Sequence, residues 1–500
     1  MITNLEVFKK MLIGKEKTLL DALLKINDNS KGIVFITDDL EKLCGILTDG
    51  DIRRFLIQGY SLSEKIEQFT NREFVYGRID ESQDQIRAKL TPIILIIPIV
   101  DGDFKVVDYF EAPHSNTVQV SAPSLKGREF NYLVDAFLST WVSSSGKYID
   151  LFEKKFATYS NSEYAVSTSN GTSALHLALL ESGVGNNDEV IVPTVTFIAP
   201  VNTIKYVNAD PVFIDCDDHL NIDVGKVKEF FEKECSFNGE STVDKKTGKK
   251  VAAIIPVHIF GHPVDLDSLI PLAKKFHVKV IEDASQALGS YYKKGTYKGR
   301  KVGEIGDFGC FSFNGNKIIT SGGGGMVVTP DEKNARHIKY LSTQAKDDGI
   351  FYIHDEIGYN YRMTNLHAAM GLAQLENIEA NVKVKRKNFN IYKDALTHFK
   401  GLYFIEEPDY AVSNYWFYSL VVDKESYGLS RDDLMYKLED NGIQARPLWY
   451  LNHWQKQFKN NRHYKIEKAS WYYDRVLNIP CSVDLKTHEI EKVISIIKGN

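Results

Sequence analysis

From about residue 126 onward, short apolar runs alternate with helical patterns, and that alternation limits the folds open to the chain. "EYAVSTS", "DEVIVPTVTF", "DPVFIDC", "VAAIIPVHIFG" and "VKVIEDASQ" each read as a strand. "NGTSALHLALLESG" reads as a helix with a polar cap, and "VDLDSLIPLAKKF" as an amphipathic helix between the last two strands. Parallel neighbours need a crossover, and a helix supplies it. Strand and helix in turn therefore predict an α/β fold, a mostly parallel sheet with helices on both faces. In such sheets ligands gather at the carboxyl ends of the strands.

At 500 residues the chain exceeds what one core usually supports, which predicts two or three domains. A break is expected over 111–125, "EAPHSNTVQVSAPSL", which is polar, has two prolines and lacks a helical period. Ahead of it, "SKGIVFITDDLEKLCGILTDGDIRRFLIQG" reads strand, turn, strand, helix. "PIILIIPIVDGDFKVVDYFE" echoes it with strand, "DGD" turn and strand, which predicts an internal repeat. The most apolar stretch, "TPIILIIPIV", is far too short to cross a bilayer and reads as a buried strand. A net charge of -5 suggests neither a nucleic-acid nor a membrane surface. The five cysteines are scattered and form no Cys-x-x-Cys pair. That fits a reducing compartment, hence the cytoplasm, and no metal site is expected. The first residues, "MITNLEVFKKMLIGKEKTLL", hold no long apolar run, so no signal peptide is expected.

Three motifs carry chemistry. In "STSNGTSALHL" a strand ends and Gly171, Thr172 and Ser173 open a helix, where the dipole and the hydroxyls favour a phosphate; an ordinary helix cap has the same look. In "VKVIEDASQALGS" an apolar strand ends on Glu282 and Asp283. "FSFNGNKIITSGGGGMVV" holds one lysine, Lys317, and four consecutive glycines, Gly322 to Gly325. Fixing a glycine costs roughly 0.5–1 kcal/mol relative to alanine, so the run predicts a tight turn passing close to a ligand. A carboxylate can hold a heterocyclic nitrogen protonated, and a lysine amine can form a Schiff base with an aldehyde. A phosphate cradle, an acid and one lysine are together what pyridoxal 5'-phosphate requires.

Residues 126–500 resemble the nucleotide-sugar aminotransferases of the DegT/StrS type, fold type I of the pyridoxal phosphate enzymes. The resemblance rests on "WVSSSGKYIDLFEKKFA", "TSNGTSALHLAL", "VPTVTFIAPVNTI", "EDASQALGS", "GDFGCFSFNGNKIITSGGGGMVV" and "GYNYRMTNLHAAMGLAQLE", in the family's order. It implies a large cofactor domain over 126–375 and a small C-terminal α+β domain over 376–500. Lys317 would be the Schiff-base lysine, Asp283 the partner of the pyridine nitrogen, and Gln286 the contact to the ring oxygen. Gly171, Thr172 and Ser312 would hold the phosphate, Phe197 would stack on the ring, and Asn360 would reach the phosphate in the neighbouring subunit of a homodimer or larger assembly. Many members carry histidine where Gln286 stands, and a glutamine can still donate to an oxygen. The front module, 1–115, followed by a linker over 116–125, resembles the paired domains named after cystathionine beta-synthase (CBS). There "GILTDGDIRR" would set Thr48 and Asp51 against the ribose and phosphate of an adenine nucleotide.

The implied reaction takes an amino group, usually from glutamate, to a UDP- or GDP-linked keto sugar. "WVSSSGKYID" and "DGIFYIHDEIGYNYRMTN" most resemble the branch that aminates C4 of 4-keto-6-deoxy-2-acetamido hexoses, which feed legionaminic acid and bacillosamine pathways. Two other readings are a sugar dehydratase, whose family members carry histidine in place of the lysine, and a nucleotide-sensing regulator or scaffold on the same fold. Lys317 stands against the first, and Lys317, Asp283 and the phosphate cap together stand against the second.

Overall fold

The computed structural model of the chain describes residues 5–29, 31–91, 94–111 and 117–499. The chain divides by its contacts into two compact units, Met1–Asn116 and Thr117–Asn500. Residues 112–116, with the expected end of the front module at 115, lie outside the described residues, as do Pro92 and Ile93 of the apolar stretch.

The front unit holds two three-stranded sheets that repeat one another. One contains Leu12–Gly14, Ile33–Thr37 and Leu43–Thr48, the other Gly77–Arg78, Ile96–Val100 and Val106–Glu111. In each, the central strand has a parallel neighbour on one side and an antiparallel hairpin partner on the other. The hairpin turns match atom for atom. Asp38 Oδ1 accepts from the N–H groups of Leu40 and Lys42, and Asp101 Oδ1 from those of Asp103 and Lys105. Glu41 and Phe104, at equivalent places, both take a left-handed φ, 63° and 65°.

In the second unit, the stretch expected as a linker is engaged from Thr117 onward. Val118 is buried, bridges Ile443 and donates its N–H to Gly442 O. Val120 O accepts from the Cys481 N–H, and the Ala122 N–H donates to Ser482 Oγ. The expected linker over 116–125 is thereby corrected: residues 117–125 belong to the second unit. The flanking prolines and polar residues mask a short alternation in which Val118 is buried and Gln119 exposed.

The main sheet runs in the order His463–Tyr464, Asp210–Ile214, Asp188–Pro193, Lys250–Ile254, Lys279–Asp283, Phe308–Ser312, Gly325–Thr329, Tyr164–Thr168. Along that path only Gly325–Thr329 is reversed; it pairs antiparallel with both neighbours. The central strands are near-continuously buried, as a sheet covered on both faces requires. Successive residues feed opposite cores: Val190 and Val192 join one cluster, Ile191 the other. No helix among the described residues is long and apolar enough to cross a membrane. After the helix Ile378–Leu396 comes a four-stranded antiparallel sheet, Leu402–Phe404, Tyr418–Val422, Val476–Ile479 and Arg446–Pro447 in that order.

Candidate active site

A cavity of about 760 Å³ opens where the strands Lys279–Asp283 and Phe308–Ser312 end. Gly171, Thr172, Phe197, Asp283, Gln286, Ser312 and Lys317 all line it. Asn360 does not line the cavity of its own chain; it is exposed and bridges Thr343.

The anion end is built by the helix Gly171–Glu181. Asn170 caps it from an extended backbone, its side chain accepting the Ser173 N–H at 2.8 Å. The first N–H groups of a helix have no acceptor inside it, and its positive end favours a phosphate. Gly171 fits this place because a Cβ there would stand 2.7 Å from Ser312 Cβ. The glycine run serves the same wall. Gly322 and Gly324 adopt φ of 79° and 123°, and a Cβ on Gly325 would meet the Asn170 carbonyl at 2.6 Å. Gly322 and Gly324 thus permit the turn, and Gly325 the close passage of backbone against the start of the helix.

Strand alternation sends Glu282 and Asp283 to opposite faces. Asp283 is buried at the cavity floor, with Oδ1 accepting from the Ser285 N–H at 3.0 Å. Glu282 is wholly buried behind it. Its Oε2 accepts from His258 Nε2 at 3.0 Å and Gly303 N–H at 2.7 Å, and its Oε1 from Ile305 N–H at 2.8 Å and Gly306 N–H at 2.6 Å. His258 Nδ1 accepts from the Val264 N–H at 3.0 Å, so the ring proton sits on Nε2 and is donated to Glu282. Burial opposes the charge on Glu282, yet the His258 and peptide bonds outweigh it and hold the carboxyl below its ordinary range. The Gln286 amide oxygen accepts from the Phe260 N–H at 2.8 Å, which leaves its NH₂ group for the cavity.

Lys317 follows a turn in which its N–H donates to Asn314 O at 3.0 Å. Its Nζ stands 4.0 Å from the centre of the Trp416 ring, and the Trp416 indole N–H donates to Asn316 O at 2.6 Å. Burial pushes the Lys317 amine down to about 8, with the Asp283 charge pulling the other way. Phosphate cradle, acid and a lysine of lowered basicity meet on one wall, and these residues fit pyridoxal phosphate.

Sequence reading missed Trp416, Arg446 and Trp449, which line the cavity from the C-terminal part. Nothing in "SNYWFYSL" or "QARPLWYL" ties either stretch to a site formed by residues 171–317. Thr48 and Asp51 lie in the front unit and form a capping box: Thr48 Oγ1 accepts from the Asp51 N–H, and Asp51 Oδ2 from Thr48 N–H and Oγ1. Asp51 Oδ1 accepts from Arg54. A front-unit cavity of about 630 Å³, beside Gly14, Thr37 and Lys105, includes neither Thr48 nor Asp51.

Residues 123–498 match the DegT/DnrJ/EryC1/StrS aminotransferase family. The chain is 39% identical over 375 residues to a GDP-perosamine synthase of Escherichia coli O157:H7, covering 75% of this chain and 95% of that one. It is 35% identical over 385 residues to EpsN of Bacillus subtilis (strain 168), named as a pyridoxal phosphate-dependent aminotransferase, covering 76% of this chain and 95% of that one. Among solved structures, the aminotransferase TlmJ from Streptoalloteichus hindustanus superposes with a TM-score of 0.68 at 26% identity, over 76% of this chain and 98% of that one.

A lysine attacks an aldehyde as the neutral amine. Lys317 is neutral above about 8 and an ammonium below it. The rate at which cofactor-free protein takes up pyridoxal phosphate is expected to climb with pH to about 8 and then level, which stopped-flow absorbance of the visible band checks. A rate still climbing toward 10.5, the ordinary lysine value, would contradict it.

Proposed function

The chain belongs to the DegT/DnrJ/EryC1/StrS aminotransferase family, and from that premise we propose that it moves an amino group from glutamate to C4 of a nucleotide-linked 4-keto-6-deoxy-N-acetylhexosamine. The meeting of Lys317, Asp283 and the Gly171 cradle in one cavity carries this reading. In balance, the donor's C–NH₂ becomes C=O and the sugar's C=O becomes C–NH₂. The enzyme depends on pyridoxal phosphate, which when bound supplies an electron sink for the carbon that loses its proton. Asp283 keeps the cofactor's ring nitrogen protonated, and the Gln286 NH₂ donates to the ring oxygen. Gly171, Thr172 and Ser312 bind the phosphate, while Phe197 covers a ring face. Lys317 Nζ, free and neutral, takes the proton from the donor's α carbon. The GDP-perosamine synthases among the relatives support a nucleotide-linked sugar as the acceptor.

The active unit in this reading is a homodimer in which Asn360 completes the partner's phosphate site. Exposed apolar side chains support it: Trp141, Phe351 and Ile357 are 60%, 77% and 84% exposed. The front unit, with its two repeated sheets, is read as a CBS-like pair, Thr48 and Asp51 meeting a nucleotide at the start of the helix Asp49–Ile57. A nucleotide there takes over the Asp51 oxygen that now accepts from Arg54.

Purified chain given glutamate and a panel of GDP- and UDP-linked 4-keto sugars, with and without the acetamido group, is expected to yield the amino sugar, read by mass. Lys317→Ala is expected to fold and yield none; more than a few per cent of parental turnover contradicts the assignment. Mixed Lys317→Ala and Asn360→Ala chains are expected to regain activity, since one heterodimer site receives both intact residues; heterodimers without rescue contradict the shared site. A chain beginning at Thr117 is expected to keep aminotransferase activity and to give no calorimetric heat with AMP or ATP, whereas the full chain is expected to bind at least one of them. If neither nucleotide gives heat with the full chain, the CBS-like reading fails.

A further inference from the structure

The cavity is lined by two cationic side chains, Lys317 and Arg446, and one carboxylate, Asp283. An amino acid and a nucleotide sugar enter it in turn, and both are anions, one through a carboxylate and the other through a diphosphate. Each must reach the same reacting atom, so each must fit the same space. An anion leaving water is strongly disfavoured unless a cation or donors meet it. Lys317 is occupied with the cofactor and with proton transfer. Within the chain's own lining, Arg446 is the cation left to meet either anion.

Its setting suits that work. Arg446–Pro447 is a two-residue strand at the edge of the small sheet, registered so that Arg446 stands opposite Asn478, which also lines the cavity. The Arg446 side chain is exposed, and its Nη1 donates to the carbonyl of the preceding residue, Ala445, at 2.9 Å. Among the described residues Arg446 is in no ion pair, so within the cavity lining its guanidinium has no carboxylate of its own to meet. A guanidinium has five N–H donors in a planar fork that matches carboxylate and phosphate equally well. On the same wall stand Trp449, Tyr450 and Tyr473, with the Tyr450 and Tyr473 rings 5.8 Å apart and nearly perpendicular, offering faces to a nucleobase beside the diphosphate.

Resting on the aminotransferase reading above, we propose that Arg446 is a shared anion receptor, which binds the carboxylate of the amino donor and then, after the keto acid leaves, the diphosphate of the nucleotide sugar. The two substrates therefore exclude one another through a single side chain.

The test uses the full-length, cofactor-loaded chain and its Arg446→Gln and Arg446→Lys variants. Calorimetry measures 2-oxoglutarate, GDP and UDP, each alone and against a saturating amount of another. Mutual exclusion of 2-oxoglutarate and at least one of the two nucleotides is expected in the parent. Arg446→Gln is expected to weaken both kinds of ligand by about tenfold or more, the size of a lost charge-assisted pair, and Arg446→Lys by less. Simultaneous binding in the parent overturns the proposal, as does weakening of only one kind of ligand, or no binding of either nucleotide. The bleaching of the visible cofactor band by glutamate is followed in parallel. Its absence in the parent would sink the aminotransferase reading itself, while exclusion between dicarboxylate and nucleotide tests Arg446 separately.

Discussion

One buried carboxylate holds the frame of the cavity together. Glu282 uses both oxygens fully, four acceptor bonds in all, and its donors come from the turn at His258 and the loop at 303–306. An isolated carboxylate in that place would be costly by several kcal/mol; satisfied on every side, it becomes a fixed point. Asp283 is the next residue on the strand. The His258 turn leads to Phe260, whose N–H fixes the Gln286 amide. The 303–306 loop runs straight into the strand that ends on Ser312. Three cavity side chains thus inherit their positions from a residue that does not line the cavity.

That division of labour explains what was legible in the sequence. A strand that ends on two acids points to a site only in the company of Lys317, and alternation alone says that the two face opposite ways. Which of the two faces the ligand depends on what covers each side, and that is tertiary. Lys317 and Gly171 were readable because their neighbours, the glycine run and the polar helix cap, carry local backbone requirements. Trp416 and Arg446 were not, because Trp416 lies just ahead of the strand Tyr418–Val422 and Arg446 on a two-residue strand of the C-terminal sheet, and each reaches the cavity only through the fold. The stretch after Thr117 hid for another reason: its strand-like valines are embedded in proline and serine, so composition outweighed a two-residue alternation.

Thr48 and Asp51 show the limit of motif reading from the opposite side. Threonine, two residues and aspartate is the pattern of a nucleotide contact, and it is also the pattern of a helix capping box. The same residues satisfy both, and the structure displays the second. Thr18 and Asp21 make the same reciprocal bonds at the start of the preceding helix. A motif whose atoms are already engaged locally says nothing of a ligand until an exchange of partners is considered.

The reversed strand Gly325–Thr329 has a consequence for how the chain is made. Tyr164–Thr168 leads directly into the helix Gly171–Glu181, yet its neighbour in the sheet is Gly325–Thr329, which leaves the ribosome long after it. Synthesis at roughly 5–20 residues per second leaves the earlier strand without its partner for many seconds. Through that interval the nascent chain carries an apolar strand with an open edge and a cradle lacking its far wall. Pairing across so long a stretch of sequence is entropically slow, and an unpaired edge invites association with other chains. The reversed strand that the glycines lead into is therefore also the point at which the growing polypeptide can first cover that open edge.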